Sequence, residues 1–220
     1  MKKVVSFSLW GDCPHFTQGA IENARSINTD FYHGWECWVY INNSVDQPIV
    51  SQLESTGAII KKSNYNSDYS MLFERFKPMS DPDVSIFVSR DCDSRISDKE
   101  YQAVLEWESS HFQFHSMRDH FHHHLYVMGG MWGAKTTGLI DTDSVYKKML
   151  SLFLNRNYNG DQVALQYFYQ SYNHHFLEHD DNLRHNGKKF PEHEPFMHGS
   201  FIGERICADN TVGPIERWEN

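Results

Sequence analysis

Residues Val84 to Arg95 read VSIFVSRDCDSR. Val84 to Val88 has the pattern of a buried strand, and the breaker Ser80-Asp81-Pro82-Asp83 precedes it. The strand then delivers Asp91, Cys92 and Asp93 at its C-terminal end. In open α/β sheets, ligands collect in the crevice outside those strand ends. Alternate side chains of an extended turn point the same way, so Asp91 and Asp93 can grip one hard divalent cation. Magnesium and manganese take such oxygen ligands and keep positions for substrate phosphate oxygens. Arg90 and Arg95 flank the pair, either to neutralise it or to contact a diphosphate, whose oxygens suit a guanidinium fork. The bland alternative is a solvated turn held by ion pairs.

The elements that must position this stretch follow from the patterning. Lys3 to Leu9 reads as a first strand closed by Gly11-Asp12. Thr17 to Ile27 is amphipathic, with Ala20, Ile21, Ala24 and Ile27 on one helical face. Trp35 to Ile41 is a second strand, Asp46 to Ser55 a helix with Ile49, Val50 and Leu53 on one side, and Ala58 to Ile60 a short strand. Apolar strands alternating with such helices predict a mostly parallel sheet covered on both faces. Ser97 and Glu100 form a capping box for a helix over 98–108 that turns Tyr101, Val104 and Leu105 inward. Phe112 to His115 is a strand candidate. Leu125 to Met131 runs through Gly129-Gly130 into Trp132-Gly133. Helices are predicted near Ser144 to Leu154 and Asp161 to Tyr172, with Val163, Ala164, Tyr167 and Phe168 as a core stripe. The last 40 or so residues lose periodicity and read as irregular wrapping, with a short strand near Phe201-Ile202. No linker-like segment divides the chain, so residues 1–220 read as one domain.

Composition narrows the function classes. The chain has 220 residues, 40% hydrophobic and 22% charged, which excludes a disordered or fibrous protein. A chain of this length buries roughly 70% of its unfolded surface. The formal net charge of −9 argues against a nucleic-acid partner, which would meet a clustered basic face. No apolar run approaches the ~20 residues of a membrane span, and two serines break Val4 to Trp10 as a signal segment. Cys13, Cys37, Cys92 and Cys207 show no paired spacing and read as reduced thiols of a cytoplasmic protein, or one in a host cytoplasm if viral. His120-Phe121-His122-His123-His124 reads as a surface run, since three adjacent histidines cannot face one ion. The pair His111 and His115 spans a helix end and a strand and makes a poor zinc pair.

Against this background the chain resembles the small GT-A glycosyltransferases with an Asp-x-Asp motif, in particular short domains of viral and bacterial polysaccharide loci. The matching residues run in order along nearly the whole chain. They are Ser6-Phe7-Ser8-Leu9-Trp10-Gly11, Gly19-Ala20-Ile21 with Asn23, Gly34-Trp35-Glu36-Cys37, Glu74-Arg75-Phe76 and Arg90-Asp91-Cys92-Asp93-Ser94-Arg95. Further on come Ala103-Val104 with Glu106-Trp107, His115 with Met117-Arg118-Asp119-His120, Gly129-Gly130-Met131-Trp132-Gly133, Gly160-Asp161-Gln162, His179-Asp180 and Phe201-Ile202-Gly203.

The resemblance implies a Rossmann-like α/β/α sandwich that binds a nucleoside diphosphate sugar, with a UDP-sugar favoured, and transfers the sugar to a glycan or other hydroxyl acceptor. It implies that Ser6, Ser8, Leu9, Trp10 and Gly11 hold base and ribose. Asp91 and Asp93 would hold Mn²⁺ or Mg²⁺ against the diphosphate, near Arg75, Arg90, Cys92 and Arg95. Gly129-Gly130 would shape the donor and acceptor cleft, and Asp161-Gln162 would face the donor sugar. A late histidine would complete the metal shell, with His198 and His179 as candidates. If the anomeric centre inverts, Asp161, Asp119 or Asp180 takes the acceptor proton; if it is retained, no separate general base is obvious in the sequence. Arg118-Asp119 either contacts the donor sugar or is a buried ion pair. Two rival readings stand beside this one. A nucleotidyltransferase would carry a basic Gly-rich loop after the first strand, where this chain has Gly11-Asp12-Cys13-Pro14-His15. A non-catalytic glycan- or nucleotide-binding module would have no need of intact Asp91, Asp93 and Asp161.

Overall fold

The structure is a computed structural model that describes residues 1–65, 68–153, 160–184 and 186–213. Its strands are β1 (Lys2–Leu9), β2 (Glu36–Ile41), β3 (Ile59–Lys62), β4 (Val84–Arg90), β5 (Phe114–Arg118), β6 (Met131–Lys135) and β7 (Phe176–Asp180). They form one sheet in the order β3-β2-β1-β4-β6-β5-β7. β3, β2, β1 and β4 pair in parallel, as do β5 and β7, while β6 runs antiparallel to both β4 and β5. The helices are α1 (Pro14–Thr29), α2 (Gln47–Ser55), α3 (Asp98–Ser109), α4 (Thr142–Leu152) and α5 (Gly160–Tyr172).

Side-chain parity along β1 builds the two cores. Val5, Phe7 and Leu9 pack on one face with Ala20, Ile21, Ala24 and Ile27 of α1, Val50 and Leu53 of α2, and Val104 and Trp107 of α3. Val4 lies in the core of the opposite face, with Trp38 of β2, Val145 and Met149 of α4, and Ala164, Leu165 and Phe168 of α5. The expected α/β/α sandwich results. No helix among the described residues is long and apolar enough to cross a membrane.

Several expectations change. The buried face of α3 is Ala103, Val104 and Trp107, and Leu105 is 38% exposed. Ser97 caps that helix by accepting from the Glu100 N–H, but the Glu100 carboxylate turns away to Arg90 and does not close the box. On α5, Val163 and Tyr167 are 62% and 45% exposed; Leu165 and Tyr169 take their place beside Ala164 and Phe168. The helix expected to reach Leu154 ends at Leu152, and residue 154 lies outside the described residues. Phe201-Ile202 is a turn, because the Ile202 N–H donates to the Asp119 carboxylate (3.1 Å) and joins no strand ladder. His123 of the histidine run is buried; its Nδ1 accepts from the backbone N–H groups of Asp119 and His120, both at 3.2 Å.

Among the elements with no counterpart in the sequence reading, two differ sharply in how they are held. Asp68–Ser80 is a run of 3-10 turns with Pro78 inside it, and it buries Met71, Phe73, Phe76 and Met79 beneath the sheet. β7 is the other. Its sequence FLEHD is poor in strand formers. Buried charge holds it instead: Arg118 of β5 donates to Glu178 at 2.6 Å and to Asp180 at 3.0 Å. Both margins of the sheet are guarded. β3 carries Lys61 and Lys62, and the backbone of Lys188 closes part of the outer side of β7, donating to the Glu178 carbonyl and accepting from the Asp180 N–H.

β5 and β7 are also joined by two histidines, His115 Nε2 lying 2.8 Å from His179 Nδ1. Burial pushes both imidazoles below their ordinary value, His115 the further. The folded chain keeps His115 neutral, whereas the unfolded chain takes up a proton near pH ~6.5. The stability this contributes is present above about pH 6.5 and is lost as pH falls below it. Urea unfolding between about pH 7.5 and 5.5 should show that fall, shallower in a His115→Asn variant. Identical slopes in the two proteins would refute the assignment.

Candidate active site

β4 runs through Arg90, two residues further than the apolar pattern implied, and this sets which side chains reach the crevice. The Ser89 hydroxyl donates to the Gly129 carbonyl at 2.7 Å. Arg90 points to the other face. It is fully buried and donates to Glu100 (2.8 Å), the Tyr32 hydroxyl (3.0 Å) and its neighbour Ser89's carbonyl. The expected diphosphate contact of Arg90 therefore gives way to a structural role.

Asp91 emerges on the crevice side. Arg75, from the 3-10 run, binds Asp91 Oδ1 through Nη1 and Asp161 Oδ2 through Nη2, the latter at 3.0 Å. One guanidinium thus ties together the end of β4 and the first turn of α5. Gly129 and Gly130 lie directly over this cluster. A Cβ at Gly129 would meet Asp161 Oδ2 at 2.7 Å and Gln162 Nε2 at 3.0 Å, and a Cβ at Gly130 would overlap Asp91 Oδ2. Only glycine admits so close a backbone approach. The structure therefore brings Arg75, Asp91, Gly129, Gly130, Asp161 and Gln162 together.

Burial raises the Asp161 carboxyl above the usual carboxylate range; Arg75 opposes this and the nearby Asp91 charge adds to it. Among the described residues, Ser6 Oγ, Ser8 Oγ, Arg75 Nε and Gln162 Oε1 are buried and have no hydrogen-bond partner within the protein. Ser6 and Ser8 alternate with Phe7 and Leu9, so their hydroxyls face away from the α1 side of the sheet. Leu9 itself is core, so only its backbone can serve a ligand. Gly11 adopts φ +72°, and its N–H donates to the Ser44 hydroxyl at 2.7 Å. Trp10 is partly buried against the core beneath the sheet.

The loop after Asp91 is anchored to α1. The Cys92 thiol donates to the Ser8 carbonyl (3.2 Å), and burial pushes it well above the ordinary thiol range, so it is a packing group and not a ligand contact. The Cys92 carbonyl leaves no room for a Cβ at Gly19. Asn23 donates to the Ser94 carbonyl (2.8 Å) and accepts from the Ile96 N–H (3.3 Å). Arg95 turns to the Cys207 carbonyl and the Asn210 side chain.

Asp93 keeps about a quarter of its side chain exposed, and its Oδ2 lies 3.7 Å from His15 Nε2. His15 was missed in the sequence. The available signal was its place one residue after Pro14, where a helix opens just beyond the first strand.

Three expected roles are not supported by placement. Asp119 is buried beside Lys99 (2.9 Å) and the Ile202 N–H (3.1 Å); burial alone would raise its carboxyl, but these donors hold it below the usual range. It is a clamp on the C-terminal segment, not a base facing the crevice. Arg118 is likewise committed to Glu178 and Asp180, the ion-pair alternative. His179 lies on β7, three ladder steps or roughly 14 Å from β4, with its two nitrogens engaged by His115 and Glu106. His198 lines a cavity of about 320 Å³ with Glu22, Arg25, Arg95 and Asn210. Among the described residues, no three His, Cys, Asp or Glu side chains converge on one metal position. Asp91 Oδ2 lies under the Gly130 cradle and Asp93 keeps part of its side chain exposed, two carboxylates of the oxygen type a hard cation takes.

No protein-family model matches the chain, and no curated protein matches it in sequence. Solved structures do resemble it. A glycosyltransferase involved in glycosylating the major capsid of PBCV-1 aligns with TM-score 0.53 and 11% identity, covering 82% of each chain. Glucosyl-3-phosphoglycerate synthase of Mycobacterium tuberculosis, in complex with Mn²⁺, UDP-glucose and phosphoglyceric acid, aligns with TM-score 0.52 and 11% identity over 80% of this chain and 68% of that one. The fold is GT-A. The 4-diphosphocytidyl-2C-methyl-D-erythritol synthase of Anaerococcus prevotii aligns with TM-score 0.50 and 12% identity, over 76% of this chain and 84% of that one. The GT-A sheet thus serves both glycosyl and nucleotidyl transfer among the neighbours.

Arg75 is the single cation beside the buried Asp161 carboxylate in this cluster, so Arg75→Ala should cost about 3 to 5 kcal/mol of folding stability. In an Asp161→Asn background the same change should cost much less, and a double-mutant cycle by urea unfolding reads the difference. Equal costs in both backgrounds would show that the bridge carries no coupling.

Proposed function

We propose that this chain is a metal-dependent glycosyltransferase, folded as one domain, that moves a sugar from a nucleoside diphosphate sugar, with UDP-sugars favoured, to a hydroxyl of a glycan or other acceptor. The observation that carries the reading is the Arg75 bridge between Asp91 and Asp161, set beneath Gly129-Gly130 at the C-terminal end of β4. Ligands of open α/β sheets gather at that end. The GT-A neighbours support the same reading, since one is described with Mn²⁺ and UDP-glucose bound.

The residues divide the work by position. Asp91 and Asp93 hold Mn²⁺ or Mg²⁺. Arg75 takes one oxygen of Asp91 and leaves Oδ2 turned toward Gly130. A bound cation supplies charge stabilisation to the departing diphosphate, worth several kcal/mol. The Ser6 and Ser8 hydroxyls and the backbone from Leu9 to Gly11 receive base and ribose. Gln162, with a buried oxygen lacking a protein partner, orients a sugar hydroxyl. Asp161 faces the donor sugar; burial raises its carboxyl above the usual carboxylate range and the Arg75 guanidinium beside it opposes that rise.

A nucleotidyl-transfer reading is favoured by one structural neighbour and by the shared use of carboxylate-held metal. It is opposed by the segment Gly11 to His15, which has no lysine or arginine. Calorimetric titration with UDP-sugars, with and without Mn²⁺, and identification of the released product separate the two. Metal-dependent binding and release of UDP support glycosyl transfer, release of pyrophosphate reassigns the chain, and no nucleotide binding refutes both. Asp93→Ala should lower turnover at least about a hundredfold with an unchanged circular dichroism spectrum.

A further inference from the structure

We propose that the rings of His120, Phe121, His122 and Phe201 form a shelf for one pyranose ring of a neutral glycan, the unit next to the one that carries the acceptor hydroxyl. This rests on the glycosyl-transfer reading given above and narrows its acceptor to an oligosaccharide.

The His120 ring stacks on Phe201 at a centroid distance of 3.9 Å, with 13° between the planes. Phe121 packs against His120 at 4.2 Å and against His122 at 4.0 Å, yet it stays 65% exposed. His120 Nε2 and both ring nitrogens of His122 have no hydrogen-bond partner among the described residues. Apolar ring faces thus lie beside free imidazole nitrogens. A pyranose matches both, with C–H groups on its face for the rings and hydroxyls on its rim for the nitrogens. An aliphatic protein surface laid here would cover those nitrogens and leave them unpaired.

The shelf is fixed before any ligand arrives. Arg184 donates to the carbonyls of Phe121 (3.2 Å) and His123 (3.1 Å), and His123 Nδ1 accepts from the backbone N–H groups of Asp119 and His120. From the C-terminal segment, the Ile202 N–H donates to the Asp119 carboxylate and so holds the neighbouring Phe201 against His120. Aromatic area that is both open and already ordered costs little freedom on binding.

Its place suits an acceptor. Ser89 of β4 and Ser116 of β5 both pair with Trp132 of β6, so the chain leaves β5 for the shelf at the end of the sheet where β4 delivers Asp91. β5 stands two ladder steps from β4, roughly 10 Å, on the side away from β1. The shelf loop runs on into Gly129-Gly130 and is pinned to α5 by Gln166, which accepts from the Tyr126 N–H (3.0 Å) and donates to the Val127 carbonyl (2.8 Å). Gly203, two residues after Phe201, lies against the side chain of Met131, the residue that follows Gly130. A glycan with its terminal sugar at the glycine cradle can therefore lay the next ring on the shelf. Burial and the imidazoles of His123 and His122 hold the His120 ring below its ordinary pKa, and the carboxylates of Asp119 and Glu204 stand near it. The surface is thus suited to uncharged sugars and not to anionic ones.

The test is saturation-transfer NMR on the intact protein with UDP and Mg²⁺ present. The probes are lactose, maltose and cellobiose, with glucose and galactose as single-ring controls. At least one disaccharide should bind at least about tenfold more tightly than its component monosaccharides. Phe121→Ala should weaken that binding at least about tenfold with an unchanged circular dichroism spectrum, and Phe121→Trp should retain it. Wild-type affinity in Phe121→Ala, or equal affinity for disaccharide and monosaccharide, would overturn the proposal. If Phe121→Ala does not fold, His122→Ala decides, and unchanged disaccharide binding in it overturns the shelf. A dimer in sedimentation that Phe121→Ala dissolves would also overturn it, by giving the surface to a second copy. Binding of UDP without binding of any disaccharide removes the shelf and leaves the transfer reading standing. Binding of neither removes the reading on which the proposal rests, and the proposal with it.

Discussion

A single guanidinium organises the crevice. Arg75 holds Asp91 at the end of β4 and Asp161 at the start of α5, two residues separated by seventy positions in the chain. Asp161 is buried and Asp91 partly exposed, and the Arg75 cation between the two carboxylates turns their repulsion into cohesion. The arrangement demands that Arg75 itself be buried, which the 3-10 run achieves by packing Phe73 and Phe76 beneath the sheet on either side of it. It also demands a backbone without side chains above, and Gly129-Gly130 supplies that.

The antiparallel strand is what brings those glycines into place. β6 starts at Met131 beside Arg90, so the turn preceding it lies at the same end of the sheet as the carboxyl end of β4. A parallel strand at this position would have put its entry turn at the opposite end. The loop after Asp91 is secured in turn by α1, through Gly19 against the Cys92 carbonyl and Asn23 on the two peptide groups that follow. The crevice is thus framed by backbone contacts at the loop and by charge at its base.

Much of this was legible in the residues, and the rest was hidden for identifiable reasons. β1, β2, β4 and α1 follow from short-range apolar periodicity, as does the arrival of Asp91 at a strand end. The opposed direction of Arg90 also lay within reach: once β4 is taken through residue 90, parity sends its side chain to the α3 layer. The Arg75–Asp161 pair was not within reach, because it links positions 86 apart with no local pattern. β7 escaped because it is held by Arg118 and not by strand propensity. The stripe on α5 failed by one position, since the Tyr169 hydroxyl donates to Glu178 at 2.7 Å and rotates Leu165 and Tyr169 inward in place of Val163 and Tyr167.

The guarded margins of the sheet have a consequence for how the molecule behaves in company. An open strand edge is a template on which another chain can extend the ladder. Here one border carries two ammonium groups on a four-residue strand, and the other is partly occupied by the backbone of Lys188. Recruitment of a foreign strand is discouraged at both, so self-association of this protein is steered toward its helical faces and away from fibre-like growth.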